Sequence, residues 1–479
     1  MRRTLPIVLV LVASLAVSAL CACGSSRPKR KPEKPPIVLH TPADDRRAGK
    51  EASEGVAAEM GVLKSPALAA YVNEIGQRLA RNAPSGRFQY TFQIIDQDVP
   101  NAFALPGGYI YISRGLLILS NSEDELANVI GHEIVHVARR HAAARQALMR
   151  DIPKIFRFAA MGQIAAYSRS QENEADRLGQ GLAAVSGYDP EGLARFLSDL
   201  EHTERLKLGF SRFTTYRDTH PATKERVAAA GVRARHITWT RKPTFSRDRN
   251  DYLRRLDGLT VGTGGAEGVF QGDRFLHADL DFSMRFPQGW RLVNTKQAVG
   301  AMQPQLKGYV ALELQGEGDD PVAASEEYLA DARADGLGVD KIEHVKIGHW
   351  DAVRVTGSVG TRGGPLSVHL TFIARDGHVY RLMGVARGRA GAMQGIFNST
   401  ARSFRPLTPR EIKSIRETRL QIVPALAGES LTELGRRTGN TWNIQQTALM
   451  NAVYTTDKLE AGQLMKVAIS RPYRPSPDE

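Results

Sequence analysis

The sequence has almost no cysteine. Its 479 residues include only two, Cys21 and Cys23, and both lie at the extreme N-terminus. The rest of the chain therefore has no disulfide and no thiol that could act as a nucleophile or a metal ligand. Any metal site in the body of the protein must be built from histidine and carboxylate side chains.

Long hydrophobic runs are also scarce. The run from Leu5 to Leu20 is interrupted by Pro6 and is short for a helix that spans a bilayer. It follows Arg2 and Arg3, a charge pattern typical of an export signal. The whole chain is 42% hydrophobic and 24% charged, an ordinary globular composition. This composition excludes a disordered chain and a multi-span membrane protein.

Nucleic-acid motifs are absent as well. Lysine and arginine number 64 against 51 acidic residues, which gives a formal net charge of +13. The excess is spread along the chain instead of forming a basic patch, so we predict no nucleic-acid partner. At about 100 to 200 residues per domain, the length predicts two to four domains.

The end of the export signal resembles a bacterial lipoprotein box. Leu20 lies three residues before Cys23, Ala22 lies directly before it and Gly24 follows it. The resemblance implies a signal peptide over residues 1–22, acylation of Cys23 and a lipid anchor on the periplasmic face of the outer membrane of a Gram-negative bacterium. The alternative is a plain secretory signal with incidental cysteines. Residues 23–43 are basic and proline-rich, which predicts an extended tether.

The predicted chemistry centres on one helix. Ser122 and Glu125 form a capping-box pattern that predicts a helix running to about residue 148. His132 and His136 are four residues apart, so both imidazoles project from one face and can bind a single zinc ion. Glu133 is placed to reach a water molecule on that metal. The alternative is a helix with two surface histidines.

A second helical segment adds carboxylates. Glu172 and Asp176 are four residues apart within the polar stretch 168–176, so they share one helix face. One can ligate the metal while the other orients a ligating histidine. Between the two helices, residues 151–167 predict a buried apolar helix, with insertion into lipid as the alternative.

A glycine pair precedes a predicted strand upstream of the histidine helix. The alternating run after this pair predicts a strand with an unpaired edge, along which an extended substrate could bind by main-chain hydrogen bonds. The candidate substrate-binding residues are Gly108, Tyr109, Ile110, Tyr111 and Ile112.

Four motifs in order resemble one family, the zinc metallopeptidases that include HtpX and the CAAX-prenyl proteases, and most closely the periplasmic BepA type. They are Asn101 to Gly108, His132 to His136, Glu172 to Asp176, and Thr219-His220-Pro221. The resemblance covers residues 44–230. It implies three ligands for one zinc ion per chain, a general base and a residue that orients a ligand: His132, His136 and Glu172, then Glu133, then Asp176. The chain shows no helical repeat of about 34 residues like the one that follows the protease in BepA.

The resemblance also implicates His220, near the metal, and Arg226, a few residues beyond it. Two functional roles for His220 remain open. As a fourth zinc ligand it would displace the catalytic water and keep the enzyme latent; as a hydrogen-bond donor it would stabilise the oxyanion. The third possibility is a histidine at a helix entry with no catalytic role.

The fold class predicted for the whole chain is multidomain α+β. Residues 44–235 would form a mainly helical zincin-type domain with a small sheet, and 236–269 a linker. Alternating apolar runs predict an α+β or β-rich domain of unknown role over 270–408. Residues 420–470 resemble a LysM module, which implies peptidoglycan as a further partner.

The function that these patterns favour is that of a membrane-tethered zinc endopeptidase for misfolded or stalled cell-envelope proteins. Two alternatives remain: a chaperone or scaffold of outer-membrane assembly with a latent protease site, and a peptidoglycan-binding envelope protein.

Overall fold

The computed structural model describes residues 41–84, 88–142, 168–205, 216, 220, 224–304, 307–361, 364–388 and 391–474. The helices are α1 Pro42–Met60, α2 Pro66–Ala80, α3 Arg114–Leu119, α4 Glu123–Ala138, α5 Arg169–Val185, α6 Gly192–Arg205, α7 Lys224–His236, α8 Arg249–Arg255, α9 Pro321–Ala334, α10 Gly391–Arg402, α11 Pro409–Ser414, α12 Leu431–Thr438 and α13 Ile444–Met450. The predicted α+β class is confirmed.

Four antiparallel or mixed sheets complete these elements. Their strands are β1 Thr91–Ile95, β2 Ala102–Leu105, β3 Tyr109–Ser113, β4 Thr260–Val261, β5 Val269–Gln271, β6 Arg274–His277, β7 Phe282–Arg285, β8 Arg291–Asn294, β9 Ala298–Met302, β10 Gly308–Glu317, β11 Leu337–Ile347, β12 Trp350–Val359, β13 Leu366–Arg375, β14 His378–Arg387, β15 Arg405–Pro406, β16 Arg416–Pro424 and β17 Leu464–Pro472.

The N-terminal sheet corrects the predicted substrate edge. The strand order is β1-β3-β2, with β1 parallel and β2 antiparallel to the central β3. The expectation of an unpaired edge along Gly108, Tyr109, Ile110, Tyr111 and Ile112 is therefore wrong, because both sides of β3 are paired. Tyr111 is fully buried. The strand on the outer edge of this sheet, next to α4, is β2.

Helix α4 begins where the sequence predicted and ends earlier. The Ser122 hydroxyl accepts from the Glu125 N–H at 3.2 Å, while the Glu125 carboxylate accepts from the backbone of Asn121 instead of Ser122. The predicted end near residue 148 is wrong: α4 ends at Ala138, and Arg140 follows with a left-handed φ of 55°. Such a φ in a residue other than glycine turns the chain away from the helix axis.

The predicted linker over 236–269 is also wrong, because this segment is folded into the main core. Asp248 caps α8 by accepting from the Asp251 N–H at 2.8 Å. Tyr252, Leu253 and Leu256 are then fully buried against the N-terminal domain. Apolar residues at helical spacing in this segment drive it onto the core instead of leaving it extended.

The β-rich region is built on a seven-stranded sheet in the order β11-β12-β13-β14-β10-β9-β8. Helices α9 and α10 pack on this sheet, and a smaller sheet, β15-β7-β6-β5, lies beside it. Its main core is separate from that of the N-terminal domain.

The C-terminal module runs from β16 through α12 and α13 to β17. The two strands pair antiparallel, and β4 from the segment after α8 joins the same sheet. Lys466 of β17 is fully buried, and its ammonium donates to the carbonyls of Ile118 and Ser120 at 2.7 and 3.0 Å. These carbonyls lie at the end of α3, directly before α4. The module is therefore docked on the segment that leads into the histidine helix.

Lys466 is expected to contribute strongly to stability. Its burial, reinforced by Arg249, lowers the pKa of its ammonium to about 7, while Glu125 and Asp199 oppose this shift. Lys466→Ala leaves a cavity and strands these buried partners, so we expect the free energy of unfolding to fall by about 3 to 5 kcal/mol. Urea unfolding followed by tryptophan fluorescence measures this.

Lys458→Ala is the matched control for this stability experiment. Lys458 belongs to the same module, and its side chain is largely exposed. Its substitution should change the free energy of unfolding by less than about 0.5 kcal/mol. Equal unfolding midpoints for Lys466→Ala and the wild type would contradict the proposed contribution.

Two groups of predictions fall outside the described residues. They are the signal and lipidation segment around Cys23, and the apolar helix over residues 151–167. Within the described part of the chain, no helix combines the length and apolar character needed to cross a bilayer.

Candidate active site

The two histidines of α4 face each other as the sequence predicted. His132 and His136 are buried, and their Nε2 atoms lie 2.9 Å apart. Four residues make slightly more than one helical turn, which places both rings on the same face. Both Nε2 atoms therefore point into one small volume.

Helix α5 brings a carboxylate to the same volume. Glu172 places its oxygens 3.6 Å from His132 Nε2 and 3.5 Å from His136 Nε2. Ser168 begins α5 through a capping box with Gln171, so Glu172 lies in its first turn. Helices α4 and α5 therefore contribute side chains to the same cluster.

A pair of glycines, one on each helix, permits this close approach of α4 and α5. A Cβ atom at Gly179 would lie 2.9 Å from the backbone nitrogen of His132, and a Cβ at Gly131 would lie 3.0 Å from the Gly179 carbonyl oxygen. Either substitution would push the helices apart. Glu172 would then move away from the histidines, so this glycine pair sets the dimensions of the site.

His220, which follows α4 and α5 in the sequence, also contacts the cluster. Its Nδ1 lies 2.9 Å from Glu172 Oε1 and 3.2 Å from His132 Nε2. Its ring is fully buried and stacks on Tyr216, with ring centroids 4.5 Å apart. The neighbours Thr219 and Pro221 lie outside the described residues. The position of His220 is that of a potential fourth metal ligand.

The four side chains fit a divalent cation. One potential ligand atom from each of His132, His136, Glu172 and His220 lies within 4.8 Å of all the others. Two or three imidazoles with one carboxylate are a donor set that zinc accepts. All four side chains are buried.

Glu133 supports the same interpretation. It is fully buried, and neither of its oxygens has a hydrogen-bond partner among the described residues. His220 Nε2 lies 3.4 Å from Glu133 Oε1. A buried carboxylate with unmet hydrogen-bonding capacity is costly unless the site supplies a partner such as a metal-activated water.

Arg226 and Asp176 form a bidentate ion pair behind the cluster. The guanidinium donates to both Asp176 oxygens at 2.7 and 2.8 Å, and its Nη1 lies 2.8 Å from Glu172 Oε2. Asp176 Oδ1 lies 3.0 Å from His132 Nδ1. Arg226 therefore holds the carboxylates of Asp176 and Glu172 in position, and Asp176 orients the ring of His132.

The electrostatics of this buried group favour charged carboxylates. Burial alone would raise the pKa of Asp176, but His132 and Arg226 outweigh it and hold the pKa well below its usual range. Burial likewise opposes ionisation of Glu172, yet His220, His132 and Arg226 lower its pKa. Three buried carboxylates, those of Glu133, Glu172 and Asp176, face one buried guanidinium. With neutral histidines the net charge is about two negative units, which a divalent ion would balance.

The structure brings to this site two residues that no sequence motif indicated. Tyr216 stacks on His220, and His141 lies with its Nδ1 2.9 Å from His136 Nδ1. His141 is five residues from His136, a spacing that a continued helix would place on another face. The end of α4 at Ala138 brings the His141 ring back to His136. No sequence pattern predicts that the helix ends there.

A narrow cleft opens beside His136. It is lined by Ala104 and Leu105 of β2, by Pro106 and Gly107, by Asp45, and by Val137, Arg140 and Ala142. The outer edge strand and the histidine helix thus form its two walls. An extended chain placed along β2 would run past the cluster.

Two histidines one turn apart, a glutamate after the first, and a carboxylate from the next helix define the site of a metallopeptidase. Residues 66–166 and 154–234 match the model of peptidase family M48. The chain therefore contains a peptidase family M48 domain.

Curated relatives are similar to part of this chain. A beta-barrel assembly-enhancing protease of Yersinia pestis is 29% identical over 217 residues, 40% of this chain and 43% of that protein. Its counterpart in Escherichia coli K12 is 30% identical over 231 residues, 43% and 46% of the two chains. The mitochondrial metalloendopeptidase OMA1 of Schizosaccharomyces pombe is 27% identical over 201 residues, 38% and 59%. The matches to the two bacterial relatives span less than half of their length.

Solved structures similar to part of the chain include a cyanobacterial PsbP from Synechocystis and the Ran-binding protein Mog1p of Saccharomyces cerevisiae. The first is 12% identical and covers 29% of this chain and 96% of its own, with a TM-score of 0.25. The second is 9% identical and covers 29% and 96%, with a TM-score of 0.22. At these scores neither likeness carries an argument.

Proposed function

We propose that the protein is a zinc-dependent endopeptidase that hydrolyses misfolded or stalled cell-envelope proteins. The observation that carries the proposal is the buried His132–His136–Glu172 set with the carboxylate of Glu133 beside it. Zinc, when bound, supplies a Lewis acid that polarises the scissile carbonyl and activates water. The beta-barrel assembly-enhancing proteases among the relatives support the envelope as the place of action.

Each residue of the chain has a separate task in this proposal. His132, His136 and Glu172 would hold the ion. Glu133, buried at the cluster with no hydrogen bond from the described part of the chain, would take the proton from the attacking water and pass it to the leaving amine. Asp176 and Arg226 would keep the ligands in position from behind.

The site as described favours a resting state. If His220 completes the ligand set, zinc has four protein ligands and no open position for water. This arrangement also supports a second candidate function, a chaperone or scaffold of outer-membrane assembly whose protease site is latent. Zinc analysis paired with casein turnover by the purified protein tests the proposal; a zinc-loaded protein without turnover, in the wild type and in His220→Ala, would favour the scaffold.

Unfolded substrates would bind as an added strand on β2. The carbonyl oxygen of Asn101, the residue before β2, accepts from the Ser113 N–H at 2.8 Å, so the main chain of Asn101 faces β3. Main-chain groups alternate in direction along an antiparallel strand, so Phe103 also faces β3 while Ala104 faces away from it. Ala104 lines the cleft with His136. Main-chain pairing of this kind demands no particular substrate sequence, which suits a protease for unfolded chains.

A proline at Ala104 is expected to weaken substrate binding. Ala104→Pro removes an outward N–H and should raise KM for casein severalfold while zinc content stays unchanged. Phe103→Pro is the matched control, because it removes an N–H that pairs with β3 and should lower thermal stability instead. Equal destabilisation by both substitutions, with no selective change in KM, would contradict substrate pairing on β2.

Membrane attachment is proposed to depend on acylation of Cys23 after removal of residues 1–22. This places the enzyme on the periplasmic face of the outer membrane. The C-terminal module, which has a small core of its own, would add binding to peptidoglycan. The support for this binding is the resemblance of residues 420–470 to LysM modules.

Cys23→Ser is expected to abolish acylation and to release the protein from membranes, since each acyl chain contributes about 0.8 kcal/mol per buried methylene. Labelling with a palmitate analogue and membrane fractionation measure both effects. Cys21→Ser is the control and should keep label and attachment. If Cys21→Ser loses the label and Cys23→Ser keeps it, the acceptor assignment is wrong.

A further inference from the structure

We infer that His141 and Glu174 are positioning residues that fix the tautomer and the ring orientation of His136. The inference rests on the proposed zinc site. It adds to that site a second imidazole and a carboxylate that none of the motifs or family matches assigns.

The two ring nitrogens of His136 have different partners. Its Nε2 faces the cluster, 2.9 Å from His132 Nε2 and 3.5 Å from Glu172 Oε1. Its Nδ1 is hydrogen-bonded to His141 Nδ1 at 2.9 Å. A metal ligand must offer the lone pair of Nε2, so a neutral His136 carries its proton on Nδ1 and donates it to His141.

The series of contacts continues from His141 to Glu174. His141 accepts at Nδ1, so in its neutral form its own proton lies on Nε2. That Nε2 lies 3.4 Å from Glu174 Oε2, an acceptor on α5. Both protons therefore point away from the cluster: His136 donates to His141, and His141 donates toward Glu174.

The backbone is shaped to deliver His141. Arg140, the residue before it, has the left-handed φ of 55°. Its guanidinium is held by a bidentate pair with Asp45 of α1, at 2.5 and 3.0 Å. That pair helps to hold Arg140 in this conformation. The turn brings the His141 ring back beneath His136, where it is 6% exposed.

Glu174 is anchored in turn. Its Oε1 lies 3.0 Å from Arg139 Nε, and its side chain remains about one-third exposed. It lies on α5 between Glu172 and Asp176, so one helix carries a ligand and an outer partner for each histidine. His132 has Asp176 directly, whereas His136 has Glu174 through His141.

Zinc affinity of the full-length protein tests this assignment. Each variant is titrated with zinc against a chromophoric chelator, and the thermal midpoint of its metal-free form is measured. His141→Leu removes the acceptor and is expected to weaken zinc binding about 10- to 100-fold. His141→Asn keeps an acceptor near the position of Nδ1 and should restore most of the affinity. The visible spectrum of the cobalt-substituted protein should change in His141→Leu and return toward the wild type in His141→Asn.

Two further variants separate positioning from packing. The Glu174 side chain is about one-third exposed, so Glu174→Leu should leave the fold intact. It is expected to weaken zinc binding severalfold. Glu174→Gln should leave the zinc affinity unchanged. His344→Leu replaces an exposed histidine of β11 and is the control for loss of a histidine. It should match the wild type in every measurement.

The outcomes distinguish this inference from the proposed function. Wild-type zinc affinity in a folded His141→Leu protein overturns the positioning role, even if the wild type binds zinc and hydrolyses casein. Equal loss of affinity in His141→Leu and His141→Asn, with equally lowered thermal midpoints, assigns His141 to packing and also overturns it. A wild type that binds no zinc overturns both the proposed function and this inference.

Discussion

Glu133→Gln is expected to bind about one zinc ion per chain and to lose nearly all peptide hydrolysis. Glutamine has almost the same shape as glutamate, so the helix and the ligands should stay in place. It cannot accept the proton of the attacking water, and loss of a general base lowers the rate by about 10² to 10⁴. Metal analysis and casein turnover on the same preparation measure both quantities.

His136→Ala is the comparison for this experiment. It removes a ligand, so zinc content and hydrolysis should fall together, whereas Glu133→Gln separates them. Substantial casein turnover by a zinc-loaded Glu133→Gln protein would contradict the role of Glu133 as the base.

His220→Ala is expected to raise casein turnover. The His220 ring lies within hydrogen-bond distance of both Glu172 and His132, so it occupies the position of a fourth ligand. Its removal would open one position while His132, His136 and Glu172 still hold zinc. If the open state of the wild type is a minor population of about 0.1 to 10%, the increase should be about tenfold or more.

The opposite result would assign His220 to the reaction itself. A donor that stabilises the oxyanion contributes about a hundredfold or more, so its loss would lower turnover by that factor at unchanged zinc content. Unchanged turnover and unchanged zinc affinity would leave His220 as a histidine of the local packing only. Zinc affinity should be measured beside activity, because a lost fourth ligand also weakens binding.

Much of the candidate site could be predicted because helical periodicity is local. The four-residue spacings of His132 with His136 and of Glu172 with Asp176 fix which side chains share a face, whatever the rest of the fold does. The N-cap at Ser122 was predictable for the same reason. What brings the two helices together was less visible, since the Gly131–Gly179 contact joins residues far apart in sequence.

The errors have a common physical origin in tertiary contacts. Tyr109 to Ile112 has the alternation of an edge strand, yet it is paired on both sides by strands that the local pattern does not position. Just beyond the end of helix α4, Arg140 pairs with Asp45, 95 residues away. The segment assigned to a linker folds because Tyr252 and Leu256 find a place in a core formed elsewhere. None of these partners can be inferred from neighbouring residues.

The core that surrounds the histidine helix has one consequence for the timing of folding. This core includes Leu68 of α2 and also Leu420, Met450 and Leu464 of the C-terminal module. A chain emerges from the ribosome with its N-terminus first, and contacts between distant segments form late. The carbonyls before α4 can receive the Lys466 ammonium only after β17 has been made. The core around α4 therefore stays incomplete until these C-terminal segments have been made.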